Sequence, residues 1–204
     1  MPSEPPPSGF AGLSAPDLQR LGAGELLVFD GALGPERARE LAARLTQSRD
    51  GLAEAGVGRG GERVLDRGVR GDLTRWLEHT SAGPEAPLFA LFDALERDLR
   101  ERAWLGVRAT EVQLALYPGG GERYAPHRDA FAAGGRRRAT AIYYLNPAWR
   151  PGDGGELRAR TPAGTLTVEP LLDRLVLYLS ERVEHEVLPV HAPRWAVTAW
   201  FLGP

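Results

Sequence analysis

From Val107 onward the chain changes rhythm: apolar and polar residues alternate with a period of two, in short segments cut by glycine- and proline-containing turns. The segments are 107–117, 123–128, 138–145, 155–159, 164–169, 173–179, 184–190 and 194–202. A run of many short strands closes into a sandwich or a barrel. The N-terminal half reads differently. After a short apolar run from Glu25 to Phe29, Pro35 suits the first position of a helix, and Ala38, Leu41, Ala42 and Leu45 follow at helical spacing. A second helix is expected from Pro84 to Trp104, with Leu88, Phe92, Leu95 and Leu99 as its stripe. Helices confined to one half predict a mainly β fold: a double-stranded β-helix (jelly-roll) core buttressed by helices.

A single domain over residues 16–204 suits the length of 204 residues, preceded by a lead-in over 1–15 whose Pro5-Pro6-Pro7 run predicts disorder. Residues 50–72, rich in Gly and Arg, predict a mobile loop.

Period-two geometry tests which side chains can meet. His127 and Asp129 are i and i+2, so on an extended segment they point the same way. His185 and Arg194 follow downstream. Two imidazoles and one carboxylate form the set that grips Fe(II) on one face and leaves other positions open. An arginine near the second histidine suits a bidentate grip on a carboxylate. Arg194, Ala196, Thr198 and Trp200 share one face of the last strand, and Thr140, Ile142 and Tyr144 share another. An interior holding His127, Asp129, Tyr144, Arg194 and Thr198 is expensive unless it binds a charged ligand. Singly, each residue also has a plainer reading. Arg194 suits a surface position after a turn, His185 a solvent-facing edge between Glu184 and Glu186, and Tyr144 a simple lining aromatic. Four histidines and ten aspartates meet at an H-x-D spacing readily by chance, so the context carries the argument.

Composition removes other chemistries. Every one of the 25 basic residues is arginine, which excludes a Walker-type phosphate loop, a Schiff base and a lysine general base. Zero cysteine excludes disulfides, thiolate catalysis and cysteine-ligated zinc or iron–sulfur sites. A net charge of −2 makes no case for nucleic acid, no apolar run is long enough to span a membrane, and nothing at the start reads as a signal peptide, so the cytoplasm is the expected compartment.

The motifs as a set resemble the prolyl 4-hydroxylases related to the hypoxia-sensing enzymes, in a bacterial-type form. The resemblance runs from Arg70-Gly71-Asp72 and Trp76 through Tyr117-Pro118-Gly119, Tyr124, His127 and Asp129 to Thr140 and Ile142-Tyr143-Tyr144-Leu145-Asn146. It continues through Gly154-Gly155, Leu157-Arg158, Glu169-Pro170, Asp173-Arg174-Leu175, Ser180, His185-Glu186-Val187 and Pro189 to Arg194, Ala196-Val197-Thr198 and Trp200. It covers roughly residues 25–203 and is ordered throughout. The C-terminal helix of the animal enzymes and the cysteine-rich zinc finger of some relatives are not part of it.

What the resemblance implies is specific. His127, Asp129 and His185 would hold Fe(II). Arg194 and Tyr144 would take the distal carboxylate of 2-oxoglutarate, with Thr198, Trp200, Leu157 and Tyr117 around it. Asp72 would pair with Arg137, chosen among Arg136, Arg137 and Arg138 by strand register, and tether a substrate loop over about 50–68. Fe(II), 2-oxoglutarate and O2 would be required, with ascorbate as a further reductant, and no protein residue beyond the metal centre would be catalytic. The expected reaction is hydroxylation of a prolyl residue at C4 in a protein substrate, releasing succinate and CO2, by a monomer with oxygen sensing as a candidate role. Rival readings are the same chemistry on another residue or on free proline, and a non-catalytic jelly-roll module that binds a metal or a carboxylate.

Overall fold

A computed structural model describes residues 9–56, 66, 68–130 and 136–204. Among these the chain forms α1 (Ala15–Gly22), β1 (Leu27–Asp30), α2 (Pro35–Thr46), β2 (Ala53–Glu54), β3 (Leu73–Leu77) and α3 (Ala86–Glu101). The β-rich half follows as β4 (Ala109–Tyr117), β5 (Tyr124–His127), β6 (Arg137–Tyr144), β7 (Leu157–Thr161), β8 (Gly164–Val168), β9 (Arg174–Leu179), β10 (Glu184–Val187) and β11 (Arg194–Leu202).

The strands make two antiparallel sheets. One runs β1-β9-β6-β11-β4-β3-β2 and the other β5-β10-β7-β8. Period two then sorts side chains into layers. Trp195, Val197, Ala199 and Phe201 of β11 join Ala139, Ala141 and Tyr143 of β6 in a core with the helices. Their neighbours Ala196, Ile142 and Tyr144 face the four-stranded sheet and pack with Leu157 and Ala159. The order is helices, large sheet, small sheet. This is the jelly-roll expected, and each of the eight expected β segments contains a strand.

The helices also follow their stripes. Ala38, Leu41, Ala42 and Leu45 are buried on α2, and Leu88, Phe92, Leu95 and Leu99 on α3. Asp173 ties this layer to β9. It sits at a φ of 65° and accepts hydrogen bonds from the Leu33 N–H (2.7 Å) and the Tyr143 O–H (2.8 Å). Among the described residues no helix is long and apolar enough to cross a membrane.

Three elements lie outside the expected set. Helix α1 starts from a capping box, the Ser14 side chain accepting from the Asp17 N–H and the Asp17 carboxylate accepting from the Ser14 N–H. Of the expected lead-in, residues 1–8 lie outside the described residues, while Leu13 is buried in the core. Strands β2 and β3 complete the edge of the large sheet, with Leu73 of β3 opposite Leu116 of β4. Of the expected mobile stretch, 57–65 and 67 lie outside the described residues.

Candidate metal centre and carboxylate pocket

Strand pairing, more than sequence proximity, assembles the site. β5 and β10 are neighbours in the small sheet, and their register sets His127 directly opposite His185. The two rings lie 4.3 Å apart between centroids. Asp129 follows His127 by two residues and turns back toward both. Its Oδ1 is 3.8 Å from His127 Nε2 and its Oδ2 3.8 Å from His185 Nε2. One donor atom from each residue lies within 4.8 Å of the others.

Backbone carbonyls orient the imidazoles. His127 Nδ1 is 2.8 Å from the Ala125 carbonyl and His185 Nδ1 3.3 Å from that of Val183. With Nδ1 as the donor in each ring, both Nε2 atoms keep their lone pairs for a metal. Burial, helped by the neighbouring His185, pulls the His127 pKa down to about 4, so its ring is neutral near pH 7. Burial alone would raise the Asp129 pKa. The two histidines, Arg137 and the Thr140 hydroxyl outweigh it and hold Asp129 below its ordinary value. Two imidazoles and an ionised carboxylate are a donor set that fits Fe(II).

The carboxylate end of the pocket lies on the large sheet. Arg194 opens β11 opposite Tyr117 of β4, and its guanidinium carbon lies 5.2 Å from the Tyr117 ring centroid and 5.1 Å from that of Tyr144. It is 3% exposed. Its Nε donates to the Gly155 carbonyl at 2.7 Å, and no carboxylate among the described residues lies within ion-pair distance of it. Beside it the Tyr144 hydroxyl is buried without a hydrogen-bond partner among the described residues. A buried guanidinium without an anion and an orphaned hydroxyl are costly unless a ligand satisfies them. A carboxylate does so.

Gly155 makes the close approach possible. It takes a φ of 76°, and a Cβ there would lie 2.7 Å from Arg194 Cδ.

The pocket brings together most of the residues expected from the sequence. His127, Asp129, His185, Tyr117, Leu157, Arg194, Thr198 and Trp200 all line it, as do Asp72 and Arg137. Tyr144 lies beside Arg194 and is fully buried.

The expected Asp72–Arg137 pair is corrected. Asp72 is held by Arg70 through two hydrogen bonds, Nε to Oδ1 at 2.6 Å and Nη2 to Oδ2 at 2.9 Å. Arg70 and Asp72 are only two residues apart, so this pair needs no register between distant strands. Arg137 instead lies over Trp200, its guanidinium carbon 3.9 Å from the ring centroid, with Nη1 3.9 Å from Asp129 Oδ1.

Gln113, Tyr124 and Tyr178 also line the pocket, although sequence reasoning gave them no role. Gln113 was findable, because it shares the face of Tyr117 by alternation and sits opposite Thr198. Tyr178 sits opposite Thr140. No periodicity reveals that pairing.

Residues 112–202 match the family model of the 2OG-Fe(II) oxygenase superfamily. The crystal structure of a Pseudomonas putida prolyl-4-hydroxylase superposes with a TM-score of 0.81 at 31% identity, covering 92% of this chain and 97% of that one. The chain belongs to the 2OG-Fe(II) oxygenases, in their prolyl hydroxylase family. A prolyl hydroxylase from Trichoplax adhaerens, solved in complex with a hypoxia-inducible factor oxygen degradation domain peptide fragment, has a TM-score of 0.78 at 28% identity, covering 91% of this chain and 86% of that one. Mouse prolyl hydroxylase EGLN3 is 37% identical over 147 residues, which span 68% of this chain and 61% of that protein. Human Egl nine homolog 1 is 34% identical over 141 residues, 65% of this chain and 33% of that protein. The match thus spans less than two thirds of the length of these curated relatives. The superfamily is named for 2-oxoglutarate and Fe(II), and the two ends of this pocket suit them.

Proposed function

We propose that this chain is an Fe(II)- and 2-oxoglutarate-dependent dioxygenase that hydroxylates a prolyl residue at C4 in a protein substrate, releasing succinate and CO2. The observation that carries the reading is the pairing of a His127–Asp129–His185 cluster with a buried Arg194 that has no carboxylate partner among the described residues. His127, Asp129 and His185 hold the metal on one side and leave its other side to the pocket. Arg194 takes the distal carboxylate of 2-oxoglutarate, and Tyr144 donates its hydroxyl to the same group. Thr198, Leu157, Tyr117 and Trp200 shape the remaining wall. When bound, the iron and 2-oxoglutarate activate dioxygen. The protein orients the reactants and keeps water out. No side chain is asked to act as nucleophile or general base. Arg70 and Asp72, on the stretch leading into β3, line the same pocket. A protein partner carrying the target proline, a cytoplasmic setting and a monomeric state complete the reading.

The test is mass spectrometry of host lysate treated with the protein, Fe(II), 2-oxoglutarate and ascorbate, with His127→Ala as control. A gain of one oxygen on a proline supports the proposal and names the substrate. Consumption of 2-oxoglutarate without protein oxidation moves the substrate to a small molecule such as free proline. Metal binding without consumption makes the chain a ligand-binding module.

A further inference from the structure

One carboxylate oxygen in the site carries more contacts than coordination requires. Asp129 Oδ2 accepts the Thr140 hydroxyl at 2.8 Å and the Tyr178 hydroxyl at 2.9 Å. The arrangement comes from the register of the large sheet. Thr140 of β6 is the direct partner of Tyr178 of β9, so both side chains leave the same face side by side. Ser180 completes the set, 2.8 Å from the Thr140 oxygen. Thr140 has one proton, and with that proton on Asp129 it accepts one from Ser180. Both Tyr178 and Thr140 are fully buried, so neither hydroxyl turns to water.

Tyr178 has a second neighbour. Its oxygen is 3.0 Å from His185 Nε2, the nitrogen this site offers to a metal. The phenol thus has one proton and two acceptors, Asp129 Oδ2 and His185 Nε2. A cation on Nε2 takes that nitrogen's lone pair and leaves the proton to Asp129.

We propose that Tyr178 is a positioning residue for the metal centre: with Thr140 it engages Asp129 Oδ2, so that Oδ1 is the oxygen offered to the cation, and metal binding commits its proton to Asp129. The proposal rests on the metal-binding reading above and names a residue that reading did not use. Tyr178 touches two of the three ligands without being one of them. Its ring also packs on His185, centroid to centroid 4.9 Å, so it sets the ring's tilt as well as the carboxylate's rotation.

The experiment is Mn(II) binding by calorimetry to the full chain, comparing wild type, His185→Ala, Tyr178→Phe, Thr140→Val and Thr140→Ser, with melting curves for each. Phenylalanine keeps the ring and removes only the hydroxyl. Wild-type binding that His185→Ala abolishes establishes the metal site itself. The proposal then expects Tyr178→Phe and Thr140→Val each to weaken Mn(II) affinity by about 10- to 100-fold, the usual effect of losing a group that orients a ligand. Thr140→Ser, which keeps its hydroxyl, retains near wild-type affinity. A tyrosine difference absorption on adding Mn(II), present in wild type and lost in Tyr178→Phe, reports the proton's commitment. Unchanged affinity in Tyr178→Phe, with wild type binding and His185→Ala not, overturns the role of Tyr178 alone. Wild type that binds no Mn(II), or His185→Ala that binds as well as wild type, overturns the metal site and the proposal with it. A variant that melts far below wild type is judged by the difference absorption in the other, so a folding defect in one does not decide the matter.

Discussion

Tyr124 stacks on His127, with ring centroids 3.7 Å apart and 18° between the planes. The Arg70 guanidinium lies 4.8 Å from the same Tyr124 ring, and Arg70 is itself clamped by Asp72. A continuous line of contact therefore runs from the stretch before β3 to an iron-ligand candidate. It replaces the direct tether between Asp72 and the far side of the pocket that strand register alone suggested.

Cutting this line at its start has a defined outcome. Asp72→Ala leaves Arg70 largely buried without its anion, which costs about 3–5 kcal/mol when a buried pair loses one partner. Urea denaturation measures the loss. Through Tyr124 the same variant weakens metal binding; metal affinity equal to wild type would uncouple the stack from the centre.

Arg194→Ala raises the 2-oxoglutarate requirement by about 30-fold or more, since the partner of a fully buried charge is worth about 2–5 kcal/mol. Arg194→Lys falls in between, because an ammonium offers neither the planar fork nor the same Nε–H toward Gly155. Initial rates against 2-oxoglutarate concentration decide it. A requirement unchanged in the alanine variant would move the anchor elsewhere.

Gly155→Ala acts on the same anchor indirectly. Its Cβ would press on Arg194 Cδ and its φ lies in the left-handed region, so the variant is strained twice over. The expected result is a raised 2-oxoglutarate requirement with iron affinity close to wild type. Loss of both together would mean that the change spreads through the small sheet.

The pH dependence follows from His127. Its folded pKa of about 4 lies below the 6.5 of an unfolded chain, so between those values the unfolded state binds a proton that the folded state refuses. Stability without added metal therefore falls as pH drops from 6.5 toward 4, by an amount on the order of 3 kcal/mol at the lower limit. His127→Asn removes this increment. Denaturation at pH 7 and pH 5 for both proteins checks it: a wild-type slope no steeper than the variant's would refute the assignment.

Much of this was legible from alternation and helical spacing. Period two over 107–202 marked the strands and placed Arg194, Ala196, Thr198 and Trp200 on one wall, because side-chain direction in a strand is a local property. What alternation alone does not contain is non-local. His127 and His185 meet through the pairing of β5 with β10, and Tyr178 reaches Asp129 through the pairing of β6 with β9. Register between distant strands is set by closure of the whole sandwich, which no short window contains. Arg137 was misassigned for the opposite reason: strand register was extrapolated across a loop where the local Arg70–Asp72 pair was already complete. Ser14 and Asp17 announce helix α1 as a capping box, a signal that the proline run just upstream outweighs in the sequence.

His127 and His185 belong to the small sheet, and Arg194 belongs to the large one. A co-substrate held at the metal end and by Arg194, as proposed above, would therefore be a strut between the two layers, and its binding energy would add to what holds them together. Cells that run short of 2-oxoglutarate or iron would then lose more than catalytic turnover. The protein itself would open more often, meet proteases sooner and decline in abundance, so that nutrient supply sets the lifetime of the chain along with its rate.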